Sequence, residues 1–146
     1  MNQIEKENQL PGNPATEWDI NGWGDPEIQG FGHDISINRG ETIDFRIKTD
    51  SDDYRIDIYR MGYYRGMGAR LVDTVRPSVP LPQLQPEGLR DPETYLYDCG
   101  NWAVSASWRS PEGATSGIYF ARLVRQDSAP RGWRADNSLA EPAEKP

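Results

Sequence analysis

Between residues 41 and 48 apolar and polar side chains alternate without a break, with Ile43, Phe45 and Ile47 on one face and Thr42, Asp44 and Arg46 on the other. A period of two belongs to a strand with one buried and one wet face. The same period recurs where Ile56 and Ile58 alternate with Arg55, Asp57 and Tyr59. It returns where Trp102, Val104, Ala106 and Trp108 oppose Ala103, Ser105 and Ser107, and again where Tyr119, Ala121 and Leu123 oppose Phe120 and Arg122. Residues 18–20 read as a short first strand, and Ile28, Phe31, Ile35 and Ile37 as a further extended stretch, in which Gly30 and Gly32 predict a bulge or close backbone approach. Turn chemistry separates these runs: Asn21, Gly22, Gly24, Asp25 and Pro26; Asn38, Arg39 and Gly40; the acidic residues 49–53; and Ser110, Pro111, Glu112 and Gly113. No helical pattern exceeds two turns.

The chain is organised around residues 54–72. There a strand runs into a reversal permitted by Gly62, Gly66 and Gly68, which displays Tyr63, Tyr64 and Arg65 before Leu71 and Val72 resume an extended pattern. Over residues 74–101 the periodicity lapses and Pro77, Pro80, Pro82, Pro86 and Pro92 recur. Each proline removes a backbone donor and restricts its neighbour, so this stretch is a long surface excursion, with Leu81, Leu84, Leu89, Tyr95, Leu96 and Tyr97 as apolar material to dock it.

Short alternating strands and regular turns predict an all-β fold, an antiparallel β-sandwich of immunoglobulin or fibronectin type. Gly117-Ile118-Tyr119-Phe120-Ala121 has the form of a sandwich corner, with Tyr119 as the tyrosine whose hydroxyl bonds backbone. Trp18, Trp102 and Trp108 are expected to be structural as well, as core or edge cover. Three segments follow: an extended lead-in over 1–15, a sandwich over 16–125 containing the long loop 74–101, and an acidic Pro/Ala-rich tail or linker over 126–146. That tail has only Trp133 and Leu139 as bulky apolar residues. The sandwich is therefore expected to lack its last strand, and an open edge beside residues 117–124 predicts a homo-oligomer.

Composition narrows the function classes. A chain of 146 residues supports one core, and the mean hydropathy of −0.81 agrees with substantial tail and loop. A net charge of −7 offers no basic field for nucleic acid or anionic lipid. No apolar run approaches a membrane span and the first residues do not form a signal peptide, so the expected location is cytoplasmic. One cysteine, Cys99, and one histidine, His33, leave no disulfide framework and none of the usual Cys/His metal or Ser/His arrangements. Asp50, Asp52 and Asp53 lack the glycine and distant glutamate of a calcium loop. Asp98 beside Cys99 would raise rather than lower the thiol pKa, and His33 reads as a locally bonded turn residue. Neither a catalytic residue nor a metal ligand is assigned. Candidate interface residues are Tyr63, Tyr64, Arg65, Tyr95 and Tyr97, because aromatic and arginine side chains form interface centres.

Several separated motifs, in order, carry a resemblance. Asn8-Gln9-Leu10-Pro11-Gly12, Trp18-Asp19-Ile20, Ile28-Gln29-Gly30-Phe31, Asn38-Arg39-Gly40-Glu41, residues 54–64 and Ser116-Gly117-Ile118-Tyr119-Phe120-Ala121 together resemble the N-terminal region of the N,N-dimethylformamidase large (beta) subunit family. The resemblance implies a β-sandwich within an amide hydrolase of two subunit types that converts N,N-dimethylformamide and water to dimethylamine and formate with a protein-bound iron. It implies that the iron and the catalytic residues lie in a downstream portion of the parent enzyme, so no cofactor is assigned to this chain. The expected partners are that catalytic portion of the same polypeptide and a small subunit, with this chain as a non-catalytic domain in assembly or support. The alternative is a free-standing immunoglobulin-like module that binds carbohydrate or protein.

Overall fold

The computed structural model describes residues 1–20 and 24–127. The tail expected over 126–146 lies outside these from residue 128 onward, as do Asn21 and Gly22 of the turn expected before Ile28. Among the described residues, two three-stranded antiparallel sheets face each other. One has the order β1 (Ile28–Gly32), β2 (Thr42–Thr49), β7 (Ala106–Arg109). The other has the order β4 (Ala69–Val75), β3 (Tyr54–Met61), β8 (Tyr119–Arg125). Between them lie Ile28, Phe45, Ile47, Ala106 and Trp108 of the first sheet against Tyr54, Ile56 and Ile58 of the second. This is the expected all-β sandwich, with β1 beside β8 along one side and β4 beside β7 along the other.

Several local expectations are corrected. Residues 1–15 are not an extended lead-in. Gln3–Asn8 is a helix, α1, because Asn2 accepts from the Glu5 N–H while the Glu5 carboxylate accepts from the Asn2 N–H, a reciprocal capping box. Residues 18–20 are not a strand: Ala15–Trp18 forms the short helix α2, and the Trp18 indole N–H donates to the Asn13 carbonyl at 2.9 Å. Beyond Gly32 the first strand does not continue, and Ile35 is fully exposed. Trp102 likewise precedes β7 rather than lying in it.

The outer face of β3 is not wet. Asp57 and Tyr59 are buried, because Tyr59 stacks on Phe120 of β8 at 5.3 Å and Trp18 covers Phe120 at 6.1 Å. The Asp57 carboxylate accepts from Arg55 Nε and from the Thr74 hydroxyl, both at 3.1 Å, and lies 3.8 Å from Arg122 Nη1. The arginine partners were foreseeable; the burial came from an aromatic cover supplied by a distant segment.

The proline-rich excursion docks, but by polar groups more than apolar ones. Leu81 packs on the core, whereas Leu84, Leu89, Tyr95, Leu96 and Tyr97 stay exposed. Beyond Phe45, β2 and residues 103–105 splay apart, leaving backbone groups that no ladder satisfies. Gln85 fills the gap, its amide N–H donating to the Ile47 and Ala103 carbonyls at 3.0 and 2.9 Å while its oxygen accepts from the Ala103 N–H at 2.9 Å. Gln83 donates to the Val104 carbonyl at 3.2 Å and accepts from the fully buried Ser105 hydroxyl. That hydroxyl oxygen also accepts from the Ile47 N–H at 2.9 Å. Ser105→Ala leaves a buried N–H unsatisfied and is expected to lower stability by about 1–3 kcal/mol in urea unfolding, against less than about 1 kcal/mol for Ser107→Ala on the exposed face.

Candidate interaction surfaces

The loop between β3 and β4 was expected to display Tyr63, Tyr64 and Arg65. Tyr63 is 70 % exposed and Arg65 is also exposed, but Tyr64 is fully buried. Tyr64 and Arg65 adopt left-handed backbone with φ of 39° and 56°, an unfavourable conformation for such side chains, and the turn Tyr64–Gly66 carries the ring inward. Its phenol holds it there: the oxygen accepts from Arg60 Nη1 and the O–H donates to Glu7 Oε1, both at 2.9 Å. Glu7 also pairs with Arg70, and Arg60 Nη2 donates to the Ser116 carbonyl at 2.6 Å. Gly117, with φ of 155°, is required beside this group, because a Cβ there would stand 2.9 Å from the Arg60 guanidinium.

This cluster anchors α1 onto the loop. Asn8 accepts from the Tyr63 N–H at 2.8 Å and the Gln9 carbonyl accepts from Arg65 Nε at 2.8 Å. Burial disfavours the Glu7 carboxylate, but hydrogen bonds from Arg70 and Tyr64 outweigh it and hold the pKa below its ordinary value of 4.5. Burial pushes the Tyr64 phenol up, so it remains a donor at neutral pH.

A second charged cluster lies at the other end of the sandwich. Arg125, its side chain 1 % exposed, pairs with Asp50 at 2.8 Å and with Glu27 and Asp127 at 3.2 Å. The acidic turn after β2 thus has its cation built in, a guanidinium rather than a metal. Burial opposes ionisation of Asp127, but bonds from Arg125, Ser51 and the Asp52 N–H dominate and hold its carboxyl well below the usual carboxylate range. Among the described residues no three His, Cys, Asp or Glu side chains are grouped to hold a metal ion.

The remaining candidates separate cleanly. Tyr95 and Tyr97 are 67 % and 72 % exposed on a hairpin of β5 (Leu89–Arg90) and β6 (Tyr97–Asp98), within the excursion. Arg90 lies 5.0 Å from the Tyr95 ring centre and covers one face of it. Of the aromatic residues expected to be structural, the Tyr119 hydroxyl donates to the Thr115 carbonyl at 2.5 Å, Trp108 Nε1 to Asp73 at 2.8 Å and Trp102 Nε1 to the Pro86 carbonyl at 2.9 Å. Cys99 is half-buried and His33 exposed, and no side-chain hydrogen bond joins either to a titratable group among the described residues.

Sequence reading missed Arg60, Arg125 and Glu7. A signal existed for the arginines, since each extends an inward apolar register, Tyr54-Ile56-Ile58-Arg60 and Tyr119-Ala121-Leu123-Arg125. Nothing local marked Glu7. Along the side where β1 meets β8 the sandwich is open, with a cleft of about 480 Å³ over Ile43, Phe45, Tyr119 and Ala121. It adjoins another of about 560 Å³ over Ile28, Gly30, Ala121 and Leu123.

The comparison with known families falls on this same unit. The family profile described as N,N-dimethylformamidase beta subunit-like, C-terminal, matches residues 55–136, more than half of the chain. The chain belongs to this family. The family description refers to a C-terminal portion, whereas the motifs were read as resembling an N-terminal region; the family is the same. Neither the curated proteins nor the solved structures compared with the chain give a match. The N,N-dimethylformamidase beta subunit-like match starts within β3, yet β1 and β2 before it pair into the same sandwich through β7. No helix among the described residues is long and apolar enough to cross a membrane.

The charge-assisted anchoring of α1 makes a pH-dependent prediction. Glu7→Gln is expected to cost about 1–2 kcal/mol at pH 7, since it removes the charged acceptor shared by Arg70 and Tyr64. Because the folded pKa of Glu7 is depressed, the contribution is complete above pH 4.5 and is lost as pH falls below it. Urea unfolding at pH 7 and pH 3 should show the gap between wild type and variant closing on the acid side.

Proposed function

We propose that this chain is a non-catalytic domain of an N,N-dimethylformamidase-like amide hydrolase large subunit, acting in assembly or support of a catalytic portion elsewhere in the enzyme. The parent reaction in this reading is hydrolysis of N,N-dimethylformamide to dimethylamine and formate in the cytoplasm, with that catalytic portion and a small subunit as partners. The observation that carries the reading is how the polar side chains are used. Glu7, Arg60, Arg70, Asp57 and Arg125 are each committed to pairs that hold the fold, while large apolar side chains at Tyr63, Tyr95, Leu96 and Tyr97 face outward. Amide hydrolysis needs a nucleophile or activated water, a base and oxyanion donors within hydrogen-bond reach of one another. Cys99 and His33 do not form such a set. The described residues group no three His, Cys, Asp or Glu side chains that fit an iron site, and this reading places the iron in the catalytic portion.

The alternative, a free-standing immunoglobulin-like module that binds carbohydrate or protein, is less well supported on its carbohydrate side. Stacking on a sugar needs open aromatic faces, and Arg90 already occupies one face of Tyr95.

The test is dimethylamine release from N,N-dimethylformamide, with iron quantified in the same preparations. The 146-residue chain is expected to release none and to hold no stoichiometric iron, while an assembled enzyme of this family, with its catalytic portion and small subunit, does both. Release by the 146-residue chain that disappears in Cys99→Ser or His33→Ala would overturn the proposal.

A further inference from the structure

The open side of the sandwich has a defined hydrogen-bonding parity. Met61 N–H donates to the Ile118 carbonyl and Gln126 N–H to the Asp53 carbonyl, both at 2.8 Å. In an antiparallel ladder, hydrogen-bonded pairs alternate, so residues 120, 122 and 124 also turn their backbone groups to β3. The N–H and C=O of Tyr119, Ala121, Leu123 and Arg125 therefore point away from β3, along the rim of the cleft. No backbone partner meets them among the described residues.

The other three edges are managed. Asn13 bridges to Ala69 and its side chain accepts from the Leu71 N–H at 2.8 Å, closing β4. β7 is only four residues long, and Ser78 N–H donates to the Ser105 carbonyl just before it. β1 has five residues, two of them glycines. β8, by contrast, is seven residues of Tyr-Phe-Ala-Arg-Leu-Val-Arg, with no proline, lysine or bulge, and its two arginines are held by carboxylates of the same chain rather than projecting from the edge.

We propose that the edge of β8 pairs antiparallel with β8 of a second copy of this chain, around a two-fold axis at Ala121. This goes beyond the assembly reading above and does not depend on it. Charge selects the register. An axis at Arg122 would set two guanidinium groups directly opposite each other. An axis at Ala121 instead sets Arg122, which Asp57 already holds, opposite Phe120 of the second copy, and Tyr119 opposite Leu123 of the second copy. Tyr119 with Leu123 is a favourable aromatic–aliphatic cross-strand pair, and the two guanidinium groups are kept apart. The small Ala121 side chain lets the strands meet at the axis. The two three-stranded sheets become one continuous six-stranded sheet, and Tyr119 and Leu123 of the second copy enter the cleft beside β1.

The test uses the full chain. Sedimentation at about 10 to 100 micromolar is expected to show a reversible dimer. In a Cys99→Ser background, Ala121→Cys is expected to form an intermolecular disulfide on mild oxidation, because hydrogen-bonded partners lie about 5.5 Å apart at Cα, within disulfide reach. Leu123→Cys in the same background is expected not to, since its two copies stand about 14 Å apart, four residues at about 3.4 Å each. Hydrogen exchange should show Ala121 and Leu123 amides protected only as concentration rises. A monomer at all these concentrations overturns the proposal, whether those amides exchange freely or are protected by another part of the same chain. A dimer that cross-links at Leu123→Cys but not at Ala121→Cys overturns the register.

Discussion

Two arginines that cannot lose their charge set most of the loop structure of this sandwich. β3 and β8 run antiparallel, with Arg60 opposite Tyr119 and Tyr54 opposite Arg125, so their inward registers end in a guanidinium at opposite ends of the core. A guanidinium stays protonated at any relevant pH, and burying it without acceptors is prohibitively unfavourable. Each end is therefore built from acceptors. At one end Arg60 takes the Tyr64 phenol and the Ser116 carbonyl, and the phenol passes the connection to Glu7 and so to α1. At the other, Arg125 gathers Glu27 before β1, Asp50 after β2 and Asp127 after β8. Ion pairs of this kind add little net stability over an apolar replacement, but removing one partner is costly. Their effect is to specify which loops lie where.

That distinction explains what could be read from the sequence. The strands β2, β3 and β8 and the sandwich class were legible, because alternation and turn residues are local signals that tertiary packing reinforces. The capping box at Asn2 and Glu5 went unread, because a six-residue helix has too short a period to stand out from a polar lead-in. Exposure was the weak point. Asp57 looks solvated by its pattern and is buried, because Trp18, some forty residues earlier, covers the adjoining stack of Tyr59 and Phe120. Tyr64 looks displayed between Tyr63 and Arg65 and is buried, because its hydroxyl links Arg60 to Glu7 of the distant α1. Both errors come from long-range partners that no local window contains.

The exposed candidates follow the opposite logic. Tyr95, Leu96 and Tyr97 were legible as apolar material in the excursion, but the docking they were expected to provide is supplied by Gln83 and Gln85. Once amide side chains satisfy the splayed backbone, the apolar residues of the hairpin are left outside. Such a cluster is the material that the proposed role in assembly would use.

The pairing of β2 with β7 joins residues more than sixty positions apart, across the whole of the second sheet's β3–β4 hairpin and the excursion. Such contacts form late, because closing a long loop costs entropy before the pairing repays it. Here the excursion reduces that loop in steps: Ser78 meets Ser105, and Gln83 and Gln85 meet residues 103–105 and Ile47. The proline-rich stretch stiffens the intervening chain, and its two glutamines join the returning strand to β2 where the ladder itself has ended. The segment with the least regular structure thus completes the first sheet beyond the end of its ladder, while β8, in the second sheet, is the long edge of the sandwich that no described segment closes.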